Sequence, residues 1–214
     1  MARPKRRMVP LAELVFDFDL YPRTKIDSAH VAALAEALRA GAELPPLTVE
    51  AGSMRIIDGF HRARAYRTVE GDGAKVPIQE VQYRSEREAF LAAVRANAAH
   101  GRHFSTQDRV HAALLADKLG IDEEAVATAL NMRPERLGEL KIDRTAIAAG
   151  SNLHVPLKRT IRHMAGRRLT KSQQEAHRHL GGMNQLFYAN QLIWLIREDL
   201  LDKENERLME ALRE

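Results

Sequence analysis

Residues 55–69, RIIDGFHRARAYRTV, constrain the fold more than any other stretch of the chain. Ile56 and Ile57 form a short apolar run flanked by charge, and Asp58-Gly59 breaks it. From Phe60 the period becomes helical. Ala63, Ala65, Tyr66 and Val69 fall on one side, with Arg62, Arg64 and Arg67 outside it. The pattern predicts a strand, a tight glycine turn and a helix. A helix start has unpaired backbone N–H groups and the positive end of the dipole, so it receives anions. His61 and Arg62 lie in that first turn, and Gly59 lets the backbone come close to a ligand. The stretch reads as a phosphate site. The plainer alternative is a strand–turn–helix with a solvated basic face.

The segments around it predict a small mixed domain. Residues 1–8 form a basic arm, and Leu11 to Leu20 a strand or turn. Asp27 or Ser28 can cap a helix carrying Val31, Leu34, Ala35 and Leu38, which Gly41 stops. Leu47 to Glu50 alternates as a strand and forms a hairpin with Met54 to Ile57. Val76 to Val81 is a further strand, and Glu86 to Ala99 a helix with Phe90, Leu91, Val94 and Ala98 on one face.

DGFHRARA resembles the signature box of the ParB/sulfiredoxin-like fold. In ParB proteins the box is a Gly, an acidic residue, two Arg, any residue, then Arg-Ala. Here it reads Gly59, Phe60, His61, Arg62, Ala63, Arg64, Ala65. Sulfiredoxin and the free-serine kinases of the fold have a Gly-x-His-Arg turn that holds nucleotide phosphates, matched by Gly59, His61 and Arg62. Sulfiredoxin needs a Cys where this chain has Phe60, and the chain has no Cys, which excludes that chemistry. The resemblance implies that Arg23, Gly59, His61, Arg62, Arg64 and Asn97 bind a nucleotide such as CTP or ATP with Mg²⁺. It also departs from the hydrolysing ParB proteins, which carry Glu-Asn-x-x-Arg with the Glu on the metal. This chain has Ala96-Asn97-Ala98-Ala99-His100, and Ala offers Mg²⁺ no oxygen. That argues against CTP hydrolysis. Asp58 and His61 are the candidates for a catalytic role, and Asp58 also suits a turn before Gly.

The second half reads as helical. His100-Gly101-Arg102-His103 is a basic elbow, read as a hinge rather than a zinc site. Ser105 and Asp108 form a variant capping box, and Val110, Ala113, Leu114 and Leu119 an apolar face. Glu123 to Leu140 fits a helix-turn-helix, with Val126, Ala127, Leu130, Met132, Leu137 and Leu140 at the packing positions. Asn131 stands where a left-handed residue is wanted, and Pro134 suits the start of the second helix. A helix-turn-helix also follows the ParB-like domain in that family. Arg133, Arg136, Lys141 and Arg144 are its candidate DNA contacts, although Glu135 opposes phosphate. Lys158, Arg159, Arg162, Arg167 and Arg168 extend the candidate backbone surface. Leu157, Ile161 and Met164 suggest a short helix, and Thr170 can cap another. Asn184 to Arg213 reads as one long helix with Leu186, Ile193 and Leu200 seven apart, and Phe187, Trp194, Leu201 and Leu208 beside them.

These features predict an α+β protein in three parts: a nucleotide- or phosphate-binding domain at 9–100, a helix-turn-helix domain at 103–150, and a basic helical region with a dimerising helix at 151–214. The expected partners are double-stranded DNA, a second copy through residues 184–213, and a partition ATPase through the N-terminal arm. A net charge of +4 and pI near 9.5 lean the same way. No apolar run approaches a membrane span, and the expected place is the cytoplasm, on nucleoid or plasmid. The leading expectation is a DNA-binding protein of partition or transcriptional control, gated by nucleotide. A small-molecule kinase and a non-catalytic adaptor are the alternatives.

Overall fold

The computed structural model describes residues 6–99 and 103–213. The start of the basic arm and most of the expected elbow, residues 1–5 and 100–102, lie outside the described residues. The chain divides into two compact units, one reaching Lys141 and one beginning at Ile142. The fold is α+β.

The first unit opens with β1 (Arg6–Pro10), α1 (Ser28–Arg39), β2 (Leu47–Glu50), β3 (Ile56–Asp58), α2 (Phe60–Glu70), β4 (Lys75–Val81) and α3 (Glu86–Ala99). The strands form one sheet in the order β1-β4-β2-β3, with β2 and β4 parallel and both other pairs antiparallel. β1 is a correction to the sequence reading, which placed residues 6–8 in a basic arm. Arg7 and Met8 are exposed, Val9 is fully buried and Pro10 ends it, so its composition hides an edge strand. Leu47, Val49, Ile56, Val76 and Ile78 pack on Phe60, Ala63 and Tyr66 of α2.

Ile57 points into a second core with Phe90, Leu91 and Val94 of α3. That core continues into α4 (Thr106–Lys118), α5 (Glu123–Ala129) and α6 (Pro134–Ile142). Phe90 is 0% exposed, and a side chain of its size buried in full contributes about 3 kcal/mol. Ser105 caps α4, and Asp108 returns the bond to complete the capping box. Between α5 and α6 the backbone turns at Asn131 with φ +54°, which a short amide side chain tolerates. Val126, Ala127, Leu130, Leu137 and Leu140 are all buried, as their spacing requires.

The second unit departs from the all-helical expectation. β5 (Thr145–Ile147) and β6 (His154–Pro156) pair antiparallel over a small core of Ala146, Leu157 and Leu169. Strands of three residues are too short to show alternation in a sequence. A 3-10 helix at Arg159–Met164 leads to α7 (Lys171–His179), which Thr170 caps in a box with Gln173. The single long helix expected at 184–213 is instead α8 (Gln185–Arg197) and α9 (Glu206–Ala211). Asp199 turns left-handed at φ +53°, and Leu200 N–H bonds back to Leu195 O at 2.8 Å. Asp202 and Asn205 then bind neighbouring backbone N–H groups, the local competition that ends helices. Leu200 and Leu201 therefore leave the stripe. No helix among the described residues is long and apolar enough to cross a membrane.

Candidate functional site

The first unit holds a cavity of about 480 Å³, bounded by the end of β3, the start of α2, the residues before β2 and the end of α3. It brings together Arg23, Asp58, Gly59, His61, Arg62 and Asn97. Gly59 is the N-cap of α2 at φ +107°, and a Cβ there would lie 2.6 Å from Leu47 Cδ2. Only glycine fits. No side chain caps α2, so its leading N–H groups remain available at the cavity wall.

The charged groups are arranged by their neighbours. Arg62 donates through Nη1 to Pro45 O at 2.7 Å and Pro46 O at 2.8 Å, and through Nη2 to Asp58 Oδ2 at 2.7 Å. It clamps the Pro45-Pro46 segment while facing the cavity. Arg23 is 7% exposed. Its Nε donates to Asn97 Oδ1 at 2.9 Å, and its guanidinium stacks over Phe104 at 4.7 Å. The Asp108 carboxylate lies 3.9 Å away. Burial pushes the Asp108 carboxyl up, but hydrogen bonds from Thr24 and Ser105 outweigh it and hold the carboxyl below its ordinary value. Two candidate ligands 74 positions apart, Arg23 and Asn97, thus meet at one wall.

His61 is not a cation here. Its Nε2 accepts the Asp27 N–H at 3.0 Å, which places the proton on Nδ1. Burial, then the charges of His30 and Arg23, lower its pKa to about 4. As a candidate phosphate ligand, His61 is therefore a neutral ring that can donate one hydrogen bond. Arg64 does not line the cavity; its guanidinium sits over Phe16 at 5.3 Å. Asp58 is the only carboxylate lining the cavity among the described residues, and it is tied to Arg62. With Ala96 in place of a Glu, the side chains do not fit a Mg²⁺ site, since one occupied carboxylate is little to hold the ion.

Sequence reasoning missed Tyr21, His30, Thr48 and Gln79, which also line the cavity. Burial pushes the Tyr21 hydroxyl up to about 12, and its ring stacks on Phe60 at 4.4 Å. The available signal was alternation: Thr48 sits between buried Leu47 and Val49, and Gln79 follows buried Ile78.

The candidate DNA contacts sort by partner. In the first unit Arg136 pairs with Glu139 at 2.7 Å, and Lys141 with Asp117 at 2.7 Å. The Arg133 side chain makes no ion pair or hydrogen bond among the described residues. In the second unit Lys158 Nζ donates to Arg178 O at 2.9 Å and Leu180 O at 2.5 Å. Arg168 donates to Ser151 O and to Asn152 Oδ1 at 3.1 Å. Lys158 thus closes the end of α7, and Arg168 holds the loop at Ser151 and Asn152. Arg144, Arg159, Arg162 and Arg167 have no side-chain hydrogen bond or ion pair among the described residues. Arg144 Nε and Arg162 Nε are buried without a partner. Burial, then the charges of Arg144 and Arg159, lower the pKa of Arg162. Arg144 and Arg159 thus add like charge around Arg162, and none of the three side chains has an anionic partner among the described residues.

The family profile of the ParB N-terminal domain matches residues 6–95. A possible regulatory protein of the streptomycin biosynthesis operon from Streptomyces griseus is 32% identical over 131 residues, covering 60% of this chain and 36% of that protein. The transcriptional regulator NovG of Streptomyces niveus is 31% identical over 106 residues, 50% of this chain and 29% of that one. The chain thus matches about a third of the length of these relatives. Among solved structures, a Pnob8-like ParB-N domain has 12% identity and a TM-score of 0.46, covering 72% of this chain and 57% of its own. A C-terminally truncated Caulobacter crescentus ParB complexed with CTP-gamma-S has 18% identity and a TM-score of 0.40, covering 64% and 77%.

Proposed function

The chain is a ParB-like protein whose residues 6–95 are the ParB N-terminal domain, and from that premise we propose that it is a DNA-binding regulator or partition protein whose cavity takes a nucleotide. The observation that carries the nucleotide is the uncapped start of α2 at Gly59, with Arg23 and Arg62 lining the same cavity. Backbone N–H groups, two guanidiniums and the Nδ1–H of a neutral His61 suit a chain of phosphates. CTP, as the resemblance implies, or ATP is the class expected, acting as a bound ligand that gates DNA binding. Asp58 tied to Arg62, and His61 Nε2 tied to Asp27, support binding over phosphoryl transfer.

Residues 9–100 take the nucleotide in this reading, and residues 103–150 contact DNA as a helix-turn-helix. Arg133 is the recognition-segment cation with no side-chain partner among the described residues. Arg144, Arg159, Arg162 and Arg167 take backbone phosphates. Residues 151–214 also self-associate. Every residue of α8 is exposed, with Leu186 at 67% and Trp194 at 56%, a burden that a second copy relieves. The basic arm is left to a partition ATPase, and the setting is the cytoplasm, on nucleoid or plasmid.

The test is calorimetry with CTP, ATP and GTP, with Mg²⁺, with and without duplex DNA, on the wild type, Arg62→Ala and Gly59→Ala. The expected result is binding of one nucleotide that both substitutions abolish and that DNA modulates. DNA binding without any nucleotide binding would overturn the gating. Turnover without DNA would favour the kinase. Binding of neither would leave the adaptor. Light scattering on Trp194→Asp checks the dimer, with a monomer expected.

A further inference from the structure

The second unit carries more positive charge than its own carboxylates can meet. Residues 144–183 hold eight Lys and Arg and one carboxylate, Glu175. Glu175 is paired with Arg178 at 2.7 Å and His179 at 3.4 Å on its own helix. Asp143, just before this stretch, is exposed and makes no ion pair among the described residues. Lys158 and Arg168 direct their donors to backbone oxygens and Asn152.

The backbone gathers three of the remaining arginines. Leu157 N–H donates to Arg144 O at 2.8 Å, and Gly166 N–H to Thr145 O at 2.9 Å. Between Leu157 and Gly166 runs the 3-10 helix that bears Arg159 and Arg162. Both ends of that segment are therefore tied beside Arg144, and the segment arches from one tie to the other. Arg144 Nε and Arg162 Nε are buried with no acceptor, and Arg159 is exposed. The hydroxyl between them, on Thr160, donates to Gly181 O and Met183 O instead. The charges of Arg144 and Arg159 also act on Arg162 and lower its pKa after burial. A buried donor without a partner and like charges without an anion are both costly, and one ligand can relieve both.

We infer that Arg144, Arg159 and Arg162 form a site for a phosphate-class oxyanion whose occupancy steadies the arch from Leu157 to Gly166. The inference rests on reading these arginines as phosphate ligands. It adds that free phosphate fills the site without a duplex and that filling it holds the local fold. A guanidinium pairs with phosphate through two parallel N–H bonds. A phosphate offers more charge and more acceptor oxygens than a carboxylate, which suits three such groups. Inorganic phosphate and the DNA backbone share that chemistry.

The experiment follows amide hydrogen exchange of the full chain, with inorganic phosphate replacing chloride at constant ionic strength. It compares wild type, Arg162→Ala, Arg159→Ala and Arg178→Ala. In wild type, exchange at the Leu157 and Gly166 N–H groups is expected to slow about ten-fold. Arg162→Ala and Arg159→Ala lose that slowing. Arg178→Ala keeps it, since its side chain is paired with Glu175. Arg159 is exposed, so Arg159→Ala carries the test should Arg162→Ala fail to fold. The Ala63 N–H, bonded to Gly59 O at 2.8 Å, reports phosphate in the first unit's cavity separately. A second arm uses duplex DNA in place of phosphate. Slowing by both supports one site that free phosphate and the DNA backbone share. Slowing by phosphate alone supports the site and overturns the DNA-backbone reading of these arginines. Slowing by DNA alone overturns the inference and leaves that reading standing. Slowing by neither, or slowing that the Arg159 and Arg162 variants retain, overturns the inference.

Discussion

Arginine is used in two ways in this protein, and the two units separate them. At the cavity of the first unit Arg23 and Arg62 are held by Asn97, Asp58 and the carbonyls of Pro45 and Pro46. Their direction is set before any ligand arrives. In the second unit Arg144, Arg159 and Arg162 crowd one another, and two of their Nε–H groups are buried without an acceptor. A preoriented guanidinium suits a ligand of one shape. An unneutralised cluster gains from any polyanion, because the anion relieves repulsion and supplies missing acceptors together. The difference accords with the small-molecule site proposed for one unit and the nucleic-acid backbone surface proposed for the other.

Removing what holds the first kind of arginine should have the largest effect. Asp108 accepts from Thr24 N–H and Oγ1–H, both at 2.9 Å, and from Ser105 N–H and Oγ–H at 3.0 and 2.8 Å. Asp108→Ala removes the returning half of the capping box of α4 and leaves buried donors and Arg23 without their anion. Urea unfolding should show a loss of about 3 kcal/mol. A loss below about 1 kcal/mol would mean that water replaces the carboxylate and that Arg23 is not fixed by it.

The cluster in the second unit should behave oppositely. Replacing Arg144, Arg159 and Arg162 by Ala should leave stability unchanged or raised, since like charges are removed. It should lower the slope of log affinity for duplex DNA against log salt by about 3 per protomer. Lys158→Ala and Arg168→Ala are the internal comparison. They keep the slope and cost about 1 kcal/mol each, because their bonds go to the end of α7 and to the loop at Ser151 and Asn152. Equal slopes for the triple variant and the two single ones would erase the distinction between held and waiting cations.

The same contrast explains what the sequence could and could not disclose. β2, α3, the caps at Ser105 and Thr170 and the turn at Asn131 were legible because each rests on residues a few positions apart. Gly59 and its helix were legible for the same reason. The clamp of Arg62 on Pro45 and Pro46, the bond between Thr48 and Gln79, and the neutrality of His61 join residues 16 to 34 positions apart, and no local pattern announces them. β5 and β6 were too short to read, and the apolar stripe past Arg197 concealed the stop at Asp199. A heptad repeat says which positions can share a face. It does not say whether the backbone stays helical between them.

The smallest effect compares two histidines that do the same work in different surroundings. His61 accepts the Asp27 N–H in the first unit, and His177 accepts the Lys158 N–H in the second, both through Nε2 at 3.0 Å. Protonation turns either acceptor into a donor and breaks the bond. Burial lowers both pKa values, with His30 next for His61 and Lys158 next for His177. A depressed folded pKa means that the unfolded chain takes up the proton first. The stability His61 confers is therefore complete above about 6.5 and is lost as pH falls toward about 4. His61→Gln keeps an acceptor for Asp27 but cannot titrate, so it should unfold with about one proton less taken up across that window. Allowing for solvent around the ring, that is about 1 kcal/mol of acid sensitivity removed. His177→Gln should remove less, because its helix α7 has no buried residue and its partner is a surface loop. Urea midpoints of the two variants at pH 7 and pH 4.5 decide it. Equal changes would mean that the ring's acceptor bond, and not its enclosure, sets the cost of protonation.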